Sequence, residues 1–270
     1  MSEFKGLSSN DLFSNKENPL QSFCKPGPIL RSRTLEEVVS QEYGESISQV
    51  HELKELETST KDCLKVHRVN EELRSKMVDW MVEVLDIFNC SKRTFFLAVR
   101  VMDLFFKTEQ STIGIEELHV IGVACMMIAS KYEDIKALDM KTIYYKIAHE
   151  KLPKAYIVLI EKKILKVLDY MLFVPTVVDF LEPLLPGYCK ADKAQAYLIA
   201  ELAQLNGSLA WIKPSVLAQA VFFIVSRNLP KDLDSSPEVS SVVEELKDYL
   251  RNFNLPYRSS FVKYKGQPLF

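Results

Sequence analysis

A short segment, IASKYEDIKAL at 128–138, concentrates charged and apolar side chains in a pattern suited to binding. The ten positions from 118 to 127 carry no charge apart from that of His119 when it is protonated. Six neighbouring residues then mix charge with large apolar groups, and these are Lys131, Tyr132, Glu133, Asp134, Ile135 and Lys136. Two interpretations of Lys131 are open. It either caps the last turn of a buried helix, where unpaired carbonyl groups attract a cation, or belongs to a surface that contacts another molecule.

Residue patterns that support catalysis or metal binding are missing from the sequence. We find no nucleophile–base pair, no glycine-rich phosphate loop and no metal-ligand motif. The five cysteines lie far apart without a CxxC or Cys/His cluster, so neither a zinc site nor a disulfide framework is indicated. His51, His67 and His149 lack the spacing of metal ligands. The sequence therefore predicts a protein that is not an enzyme and that needs no cofactor or metal.

The composition argues against several further classes of protein. The 270 residues are 47% hydrophobic and 26% charged, with a net charge of −2 and a pI near 6.2. This balance gives no electrostatic basis for binding nucleic acid or an anionic membrane. The N-terminus lacks the pattern of a signal peptide, and no run of about 18 uncharged apolar residues predicts a membrane span. With only 8 glycines, the composition favours an all-α fold.

The chain divides into a tail and a helical body. Residues 1–34 hold three prolines, many Ser and Asn and no helical periodicity, which predicts a disordered tail. Residues 35–69 are expected to form a helix and a connector. Five helices are expected between residues 70 and 173, where apolar positions recur at helical spacing, and Tyr144 and Tyr145 are expected to pack in their core. The stretch 114–132 is apolar on nearly every side, which predicts a central helix surrounded by the others.

A weak internal repeat indicates a second unit of the same kind. LHVIGVACMMIASK at 118–131 and PSVLAQAVFFIVSR at 214–227 are both apolar with small central residues, and both end in Ser followed by a basic residue. A repeated unit of roughly 100 residues is typical of two similar domains in tandem. The sequence therefore predicts two five-helix repeats at 70–173 and 174–270, each with one central helix.

Three segments carry a family resemblance. LRSKMVDWMVEV at 73–84, IASKYEDI at 128–135 and IEKKILKVLDYMLFVPTVVDFL at 160–181 resemble, in this order, segments typical of cyclins. The resemblance covers residues 35–265 and is closest to mitotic cyclins of the A and B types. It implies two tandem cyclin-box repeats. It also implies a regulatory subunit that binds and activates a cyclin-dependent protein kinase in the cell cycle, at the G2/M transition.

The resemblance assigns roles to individual residues. Arg74 and Asp103 match an ion pair inside the first repeat that fixes the packing of its helices. Lys131 and Glu161 match the positions that hydrogen-bond to the kinase. Further contacts with the kinase are expected from the neighbouring apolar groups Tyr132, Ile135, Leu165 and Tyr170.

A second site matches the patch with which some cyclins recruit substrates that carry an Arg-x-Leu motif. The matching positions here are Leu73, Met77, Trp80, Glu83 and His119, of which Glu83 would meet the arginine of the ligand. Lys76 departs from the pattern, because the family usually has Ile there. A cation in an apolar groove is costly to desolvate and would repel an incoming arginine. The stripe is therefore interpreted either as a docking groove or as mostly core.

The tail contains one degradation motif. Lys16, Glu17 and Asn18 resemble the KEN motif that the anaphase-promoting ubiquitin ligase binds, whereas no Arg-x-x-Leu destruction box occurs in the tail. The resemblance thus implies destruction by ubiquitin-dependent proteolysis. It also implies a protein found in both nucleus and cytoplasm.

Two alternative functions share the fold. A cyclin of a transcriptional kinase would use the same kind of partner, but the KEN motif argues against it. A cyclin-fold transcription adaptor binds DNA and carries a zinc ribbon and basic repeats. This chain has one cysteine in its tail and a negative net charge, so the adaptor is the weaker alternative.

Overall fold

The computed structural model describes residues 35–226 and 236–252, without the side chains of 35–43 and 45. Within these ranges the chain is helical and has no strand, which confirms the predicted all-α class. None of the described helices is both long enough and apolar enough to cross a bilayer. The α-helices are α1 (Leu35–Glu57), α2 (Glu71–Ile87), α3 (Lys92–Thr108), α4 (Ile115–Glu133), α5 (Met140–Thr142), α6 (Lys154–Val167), α7 (Val177–Leu181), α8 (Lys190–Ala203), α9 (Gly207–Ala210), α10 (Pro214–Ser226) and α11 (Pro237–Arg251).

Helix α4 lies at the centre of the first repeat. Every residue from Val120 to Ser130 is buried, and α4 packs against α2, α3 and α6. Gly122 permits the close approach of α2, because a Cβ atom at this position would come within 2.4 Å of the Met77 sulfur. The central position predicted from the apolar sequence is confirmed, since a helix without a polar face needs neighbours on all sides.

Helix α10 takes the corresponding position in the second repeat. It packs against α7, α8 and α11, as α4 packs against its own neighbours. The two sequence stretches that resemble each other thus form the central helices of two helical groups. The four-residue helix α9, between α8 and α10, has no counterpart in the first group.

Buried polar contacts join the two repeats, and all described residues fall within one compact unit. The hydroxyl of Ser75 donates to the carbonyl of Leu205 across a distance of 2.6 Å. The ammonium group of Lys92 lies 2.6 Å from the buried carboxylate of Glu201. Because buried polar groups are costly to leave unpaired, these contacts fix α2 and α3 against the second repeat.

An ion pair connects the C-terminal end of α3 to α6. The carboxylate of Glu109 lies 2.9 Å from Nζ of Lys163 and accepts hydrogen bonds from the backbone N–H and hydroxyl of Ser111, at 2.9 and 2.7 Å. Burial raises the pKa of this carboxyl, but the bonds from Lys163 and Ser111 outweigh burial and lower the pKa to about 2.

We expect the Glu109 ion pair to make stability depend on pH in the acid range. Because its pKa of about 2 in the folded chain lies below the ordinary value of 4.5, its contribution is complete above pH 4.5 and is lost as the pH falls towards 2. Glu109→Gln removes this contribution. In urea unfolding, the difference in free energy between the two proteins should stay constant above about pH 5.5 and shrink below about pH 4.5. A difference that did not change down to about pH 3 would contradict this assignment.

Candidate functional site

The loop that follows α4 is held by three hydrogen bonds. The backbone N–H of Asp134 donates to the carbonyl of Ser130 at 3.0 Å and closes the helix. The Ser130 hydroxyl accepts from the backbone N–H of Leu138 at 2.7 Å, and Asp134 accepts from that of Ser91 at 2.9 Å. The backbone around residues 134–138 is therefore fixed by buried and partly buried groups before any partner arrives.

This fixed loop displays apolar side chains to solvent. Ile135 is fully exposed, and Tyr132, on the last turn of α4, is 51% exposed. Single exposed apolar residues are common on protein surfaces and need no explanation. Tyr132 and Ile135, however, stand together at a hydrogen-bonded helix end beside an ion pair. Apolar groups in such a setting are typical of the anchor residues of protein interfaces.

Lys131 and Glu161 form that ion pair across two helices. Nζ of Lys131, at the end of α4, lies 2.6 Å from Oε1 of Glu161 on α6, and the two side chains are 50% and 13% exposed. The hydrogen bond of Lys131 goes to a carboxylate rather than to a helix carbonyl. Of the two interpretations of Lys131, the structure thus favours a surface position over a helix cap, and it brings the two sequence-predicted polar residues together.

The remaining predicted contacts lie on and just after α6. Leu165 is half-buried against the core, whereas Tyr170 is largely exposed. The backbone N–H of Tyr170 donates to the carbonyl of Leu165 at 2.8 Å, and Asp169 and Tyr170 both have left-handed backbone angles, with φ of 49° and 58°. Such angles are unfavourable for residues with a Cβ atom, so the surrounding structure must hold Tyr170 in its exposed position.

A cleft of about 260 Å³ adjoins Tyr132 and contains residues that sequence reasoning missed. Its charged side centres on Arg93, which pairs with Asp179 and places Nη1 2.7 Å from Oε2 of Glu182. Phe173 lies on the apolar side, with its ring centroid 5.4 Å from that of His51. No local spacing marks these residues, because Arg93 and Asp179 stand 86 positions apart.

One carboxyl group of the cleft has a raised pKa. The pKa of Glu133 is raised, first by burial and then by the charges of Asp179 and Asp134, against the opposing effect of Arg93. Nε of Arg93 lies 3.5 Å from the carboxylate of Glu133, and the same guanidinium also pairs with Asp179 and Glu182. Its single positive charge is therefore shared among three carboxylates.

Arg74 and Asp103 form a buried ion pair, as the resemblance implied. Nε and Nη2 of Arg74 donate to the two carboxylate oxygens of Asp103 at 2.7 and 2.6 Å, and both side chains are almost wholly buried. Nη1 donates to the carbonyl of Gln204 at 2.8 Å, so the same guanidinium also contacts the second repeat. Burial lowers the pKa of Arg74, but the neighbouring Asp103 carboxylate outweighs burial and raises it.

The predicted docking patch is smaller than the sequence suggested. Met77 is buried against Gly122 and offers little surface to a ligand, whereas Glu83 is exposed and Leu73 half-buried. Trp80 is half-buried too, with its ring centroid 5.0 Å from that of His119 in an edge-on arrangement. Burial, followed by the charges of Lys151 and His149, lowers the pKa of His119.

Lys76, the residue that departs from the family pattern, is exposed and has a partner. Its Nζ lies 2.5 Å from Oε1 of Glu72, one helical turn earlier on α2. This pairing offsets part of the expected repulsion of an arginine ligand. Docking of Arg-x-Leu motifs stays a prediction.

Comparison with known proteins identifies the family of this chain. The description "Cyclin, N-terminal domain" matches residues 45–173. "G2/mitotic-specific cyclin-2" of Antirrhinum majus is 31% identical over 168 residues, which are 60% of this chain and 37% of that protein. "Cyclin-A1" of Homo sapiens is 32% identical over 167 residues, 60% of this chain and 35% of that protein. The chain belongs to the cyclin family.

The fold of this cyclin agrees with its family. A viral cyclin from herpesvirus saimiri superimposes with a TM-score of 0.63 at 22% sequence identity, over 76% of this chain and 96% of that one. This likeness shows the cyclin fold. The matched relatives include mitotic cyclins of both A and B types, which agrees with the predicted A/B-like character. The chain spans between a third and a half of the length of these curated relatives.

Three further predictions for this cyclin concern its tail, its cysteines and metal binding. The KEN motif, Lys16 to Asn18, and the rest of the tail fall outside the described ranges. Among the described residues four cysteines are free thiols, namely Cys63, Cys90, Cys125 and Cys189. In the part of the chain that the structure describes, no group of three His, Cys, Asp or Glu side chains is placed to hold a metal ion.

Proposed function

We propose that this cyclin is a non-catalytic regulatory subunit that binds and activates a cyclin-dependent protein kinase in the cell cycle, at the G2/M transition. One observation supports this most directly. The exposed Ile135 stands on a hydrogen-bonded loop beside the Lys131–Glu161 ion pair, where the family resemblance expects the kinase. A fixed surface suits this task, because ordering a flexible loop on binding would cost affinity.

The mechanism is a shift of population in the kinase. A protein kinase is active when a glutamate of its regulatory helix pairs with the lysine that orients the ATP phosphates. A subunit that binds only the active position of this helix favours the active state by its difference in affinity. Moving a kinase from mostly inactive to mostly active requires about 5.5 kcal/mol of such difference. An interface of standard size can supply this amount if apolar anchors stand at its centre.

Co-precipitation tests the proposal as a whole. The full chain, tagged and recovered from an extract of dividing cells, should bring down a protein kinase that phosphorylates histone. Activity in the precipitate supports the cell-cycle function. A precipitate without kinase activity, or one rich in transcription factors bound to promoter DNA, would instead favour the adaptor alternative.

We expect the Lys131–Glu161 pair to contribute to kinase binding and little to folding. Lys131→Ala and Glu161→Ala should each weaken kinase binding about tenfold, because each variant removes one of two charged groups that fix the position of the partner. The far-UV circular dichroism should not change, since an ion pair at the surface, whose lysine is half exposed, contributes only about 0–1 kcal/mol to stability. Binding is measured by titration with purified kinase.

A second surface ion pair serves as control for these variants. Lys247 and Glu244 on α11 are 2.8 Å apart and lie in the second repeat. Lys247→Ala should leave kinase binding at the wild-type level. A loss of helicity in the Lys131→Ala or Glu161→Ala variant would show that the pair serves folding instead.

We further propose that the tail directs destruction through a ubiquitin ligase that reads Lys16, Glu17 and Asn18. Replacement of these three residues with alanine should extend the half-life of the protein through mitotic exit, because the ligase loses its recognition motif. Turnover is followed by immunoblot after synthesis is blocked. Replacement of Ser8, Ser9 and Asn10 in the same tail is the control. Equal turnover of the two variants would contradict the motif.

A further inference from the structure

A patch of lysine and tyrosine side chains is separate in its residues from the sites described above and adjoins the predicted docking patch at His119. We name it the lysine–tyrosine patch, and it consists of Lys141, Tyr144, Tyr145, Lys146, Lys151 and Lys154. Residues 139–166 hold seven lysines, three acidic residues and no arginine, although the whole chain has a net charge of −2. Positive charge is therefore concentrated in this part of the first repeat.

A π-helical turn gives the patch its aromatic part. The turn spans Ile143–Ile147, and both isoleucines are buried. On this turn Tyr145 is 53% exposed and Tyr144 is half-buried, contrary to the core position predicted from the sequence. Turns of this kind occur frequently at functional sites.

Lys154 completes the aromatic part from the first turn of α6. Its Nζ lies 4.5 Å from the ring centroid of Tyr144 and 5.0 Å from that of Tyr145. The two rings meet edge to face, with centroids 4.9 Å apart. A cation over two rings is held in place, and the phenol hydroxyls add hydrogen-bond donors beside it.

The lysines of the patch form no ion pairs within the part of the chain that the structure describes, although Asp139 interacts electrostatically with Lys141. Among the described residues, no carboxylate lies within 4 Å of the ammonium groups of Lys141, Lys146, Lys151 and Lys154, which are all exposed. Seven of the other fifteen described lysines do have such a partner, among them Lys76, Lys92, Lys131, Lys163 and Lys247. Like charges that outnumber the counter-charges around them produce a positive potential that attracts an anionic partner.

We propose that the lysine–tyrosine patch binds a short acidic segment of another protein, in which several carboxylates are spaced along the chain. Lysines act as separate point charges, whereas a single phosphate is typically gripped by convergent arginine forks. The patch has no arginine and its lysines are spread over 14 positions, from 141 to 154. A long polyanion such as nucleic acid would extend past the patch onto a chain that is negative overall.

The Lys151 side of the patch lies away from the proposed kinase contact, whereas Lys141 lies nearer to it, three residues after Leu138, whose N–H donates to Ser130. Lys151 acts electrostatically on His119, which is near the beginning of α4, whereas Lys131 is near its end. Twelve residues of helix separate His119 from Lys131, a distance of about 18 Å. The proposal therefore does not depend on the proposed kinase binding, and the two can fail separately.

Fluorescence anisotropy with the full chain tests the proposal. The probe is a fluorescein-labelled octapeptide in which Glu alternates with Ser, and a peptide with Gln for Glu is its control. We expect saturable binding of the Glu peptide that weakens as salt is raised. The triple variant Lys146→Glu, Lys151→Glu, Lys154→Glu should weaken binding at least about tenfold, with kinase binding unchanged. Replacement of the same three lysines with Gln removes their charge without reversing it and should weaken binding less. This milder variant keeps the test valid if the Glu variant fails to fold.

A control variant with the same net charge as the triple Glu variant tests whether peptide binding depends on the patch or only on the total charge of the chain. Lys190→Glu, Lys193→Glu and Lys213→Glu reverse three charges in the second repeat and should leave peptide binding near the wild-type level. Three outcomes would overturn the proposal: no binding of the Glu peptide, an equal loss in both charge-reversal variants, or stronger patch-dependent binding of an oligonucleotide, an anionic vesicle or a peptide with one phosphoserine.

Discussion

Ile135→Asp is expected to reduce the affinity of this cyclin for its kinase by about a hundredfold, or about 2–3 kcal/mol. Ile135 is fully exposed on a loop that is held by Ser130, Asp134 and Ser91. If this side chain enters an apolar pocket of the partner, an aspartate would have to be desolvated there without a counter-charge. Stability should change by less than about 0.5 kcal/mol, since Ile135 buries nothing in the free chain. Titration calorimetry and urea unfolding measure the two effects.

A second exposed apolar residue provides the control. Val66 lies in the connector between α1 and α2 and is largely exposed. Val66→Asp makes the same chemical change at a distant place and should leave kinase affinity unchanged. Full affinity in the Ile135→Asp variant would remove the central anchor from the proposed interface.

Arg74→Ala is expected to destabilise the folded chain by about 3–5 kcal/mol. The substitution leaves the buried carboxylate of Asp103 without its partner and the carbonyl of Gln204 without its donor. An unpaired buried charge is far more costly than a missing surface pair. Since domains are stable by only about 5–15 kcal/mol, the variant should unfold at a much lower urea concentration.

Two further variants separate the buried charge from other effects of the substitution. Arg74→Met combined with Asp103→Leu removes both charges and should regain much of the lost stability. Arg251 and Asp248 form an exposed pair at 3.3 Å, so Arg251→Ala should cost less than about 0.5 kcal/mol. A loss below about 1 kcal/mol in Arg74→Ala would mean that the ion pair does not hold α2 to α3 and the second repeat.

The sequence predicted elements more reliably than surfaces. Helical spacing and the apolar stretches at 118–131 and 214–227 were sufficient to place two central helices, because helices bury their apolar sides by local rules. Spacing along the chain did not predict the partners of Arg74. Asp103 stands 29 positions away and Gln204 130 positions away, so the first came only from the family resemblance and the second only from the fold.

Exposure was the property that the residue types predicted least well. Met77 was expected in a docking groove and is buried, whereas Tyr145 was expected in the core and is exposed. In each case the local packing decided the outcome: Gly122 lets α2 close over Met77, and on the π-helical turn Ile143 and Ile147 take the buried positions. Neither effect has a signature in a single sequence.

By itself, the sequence determined the helical class, the two repeats and the polar and apolar residues at the end of α4, since these follow from composition and from spacing along one chain. The tertiary structure decided which of these residues meet. It paired Lys131 with Glu161, set Arg93 between Glu133 and the second repeat, and gathered the lysine–tyrosine patch. Such contacts depend on how helices distant in sequence pack together, and packing is a property of the whole core.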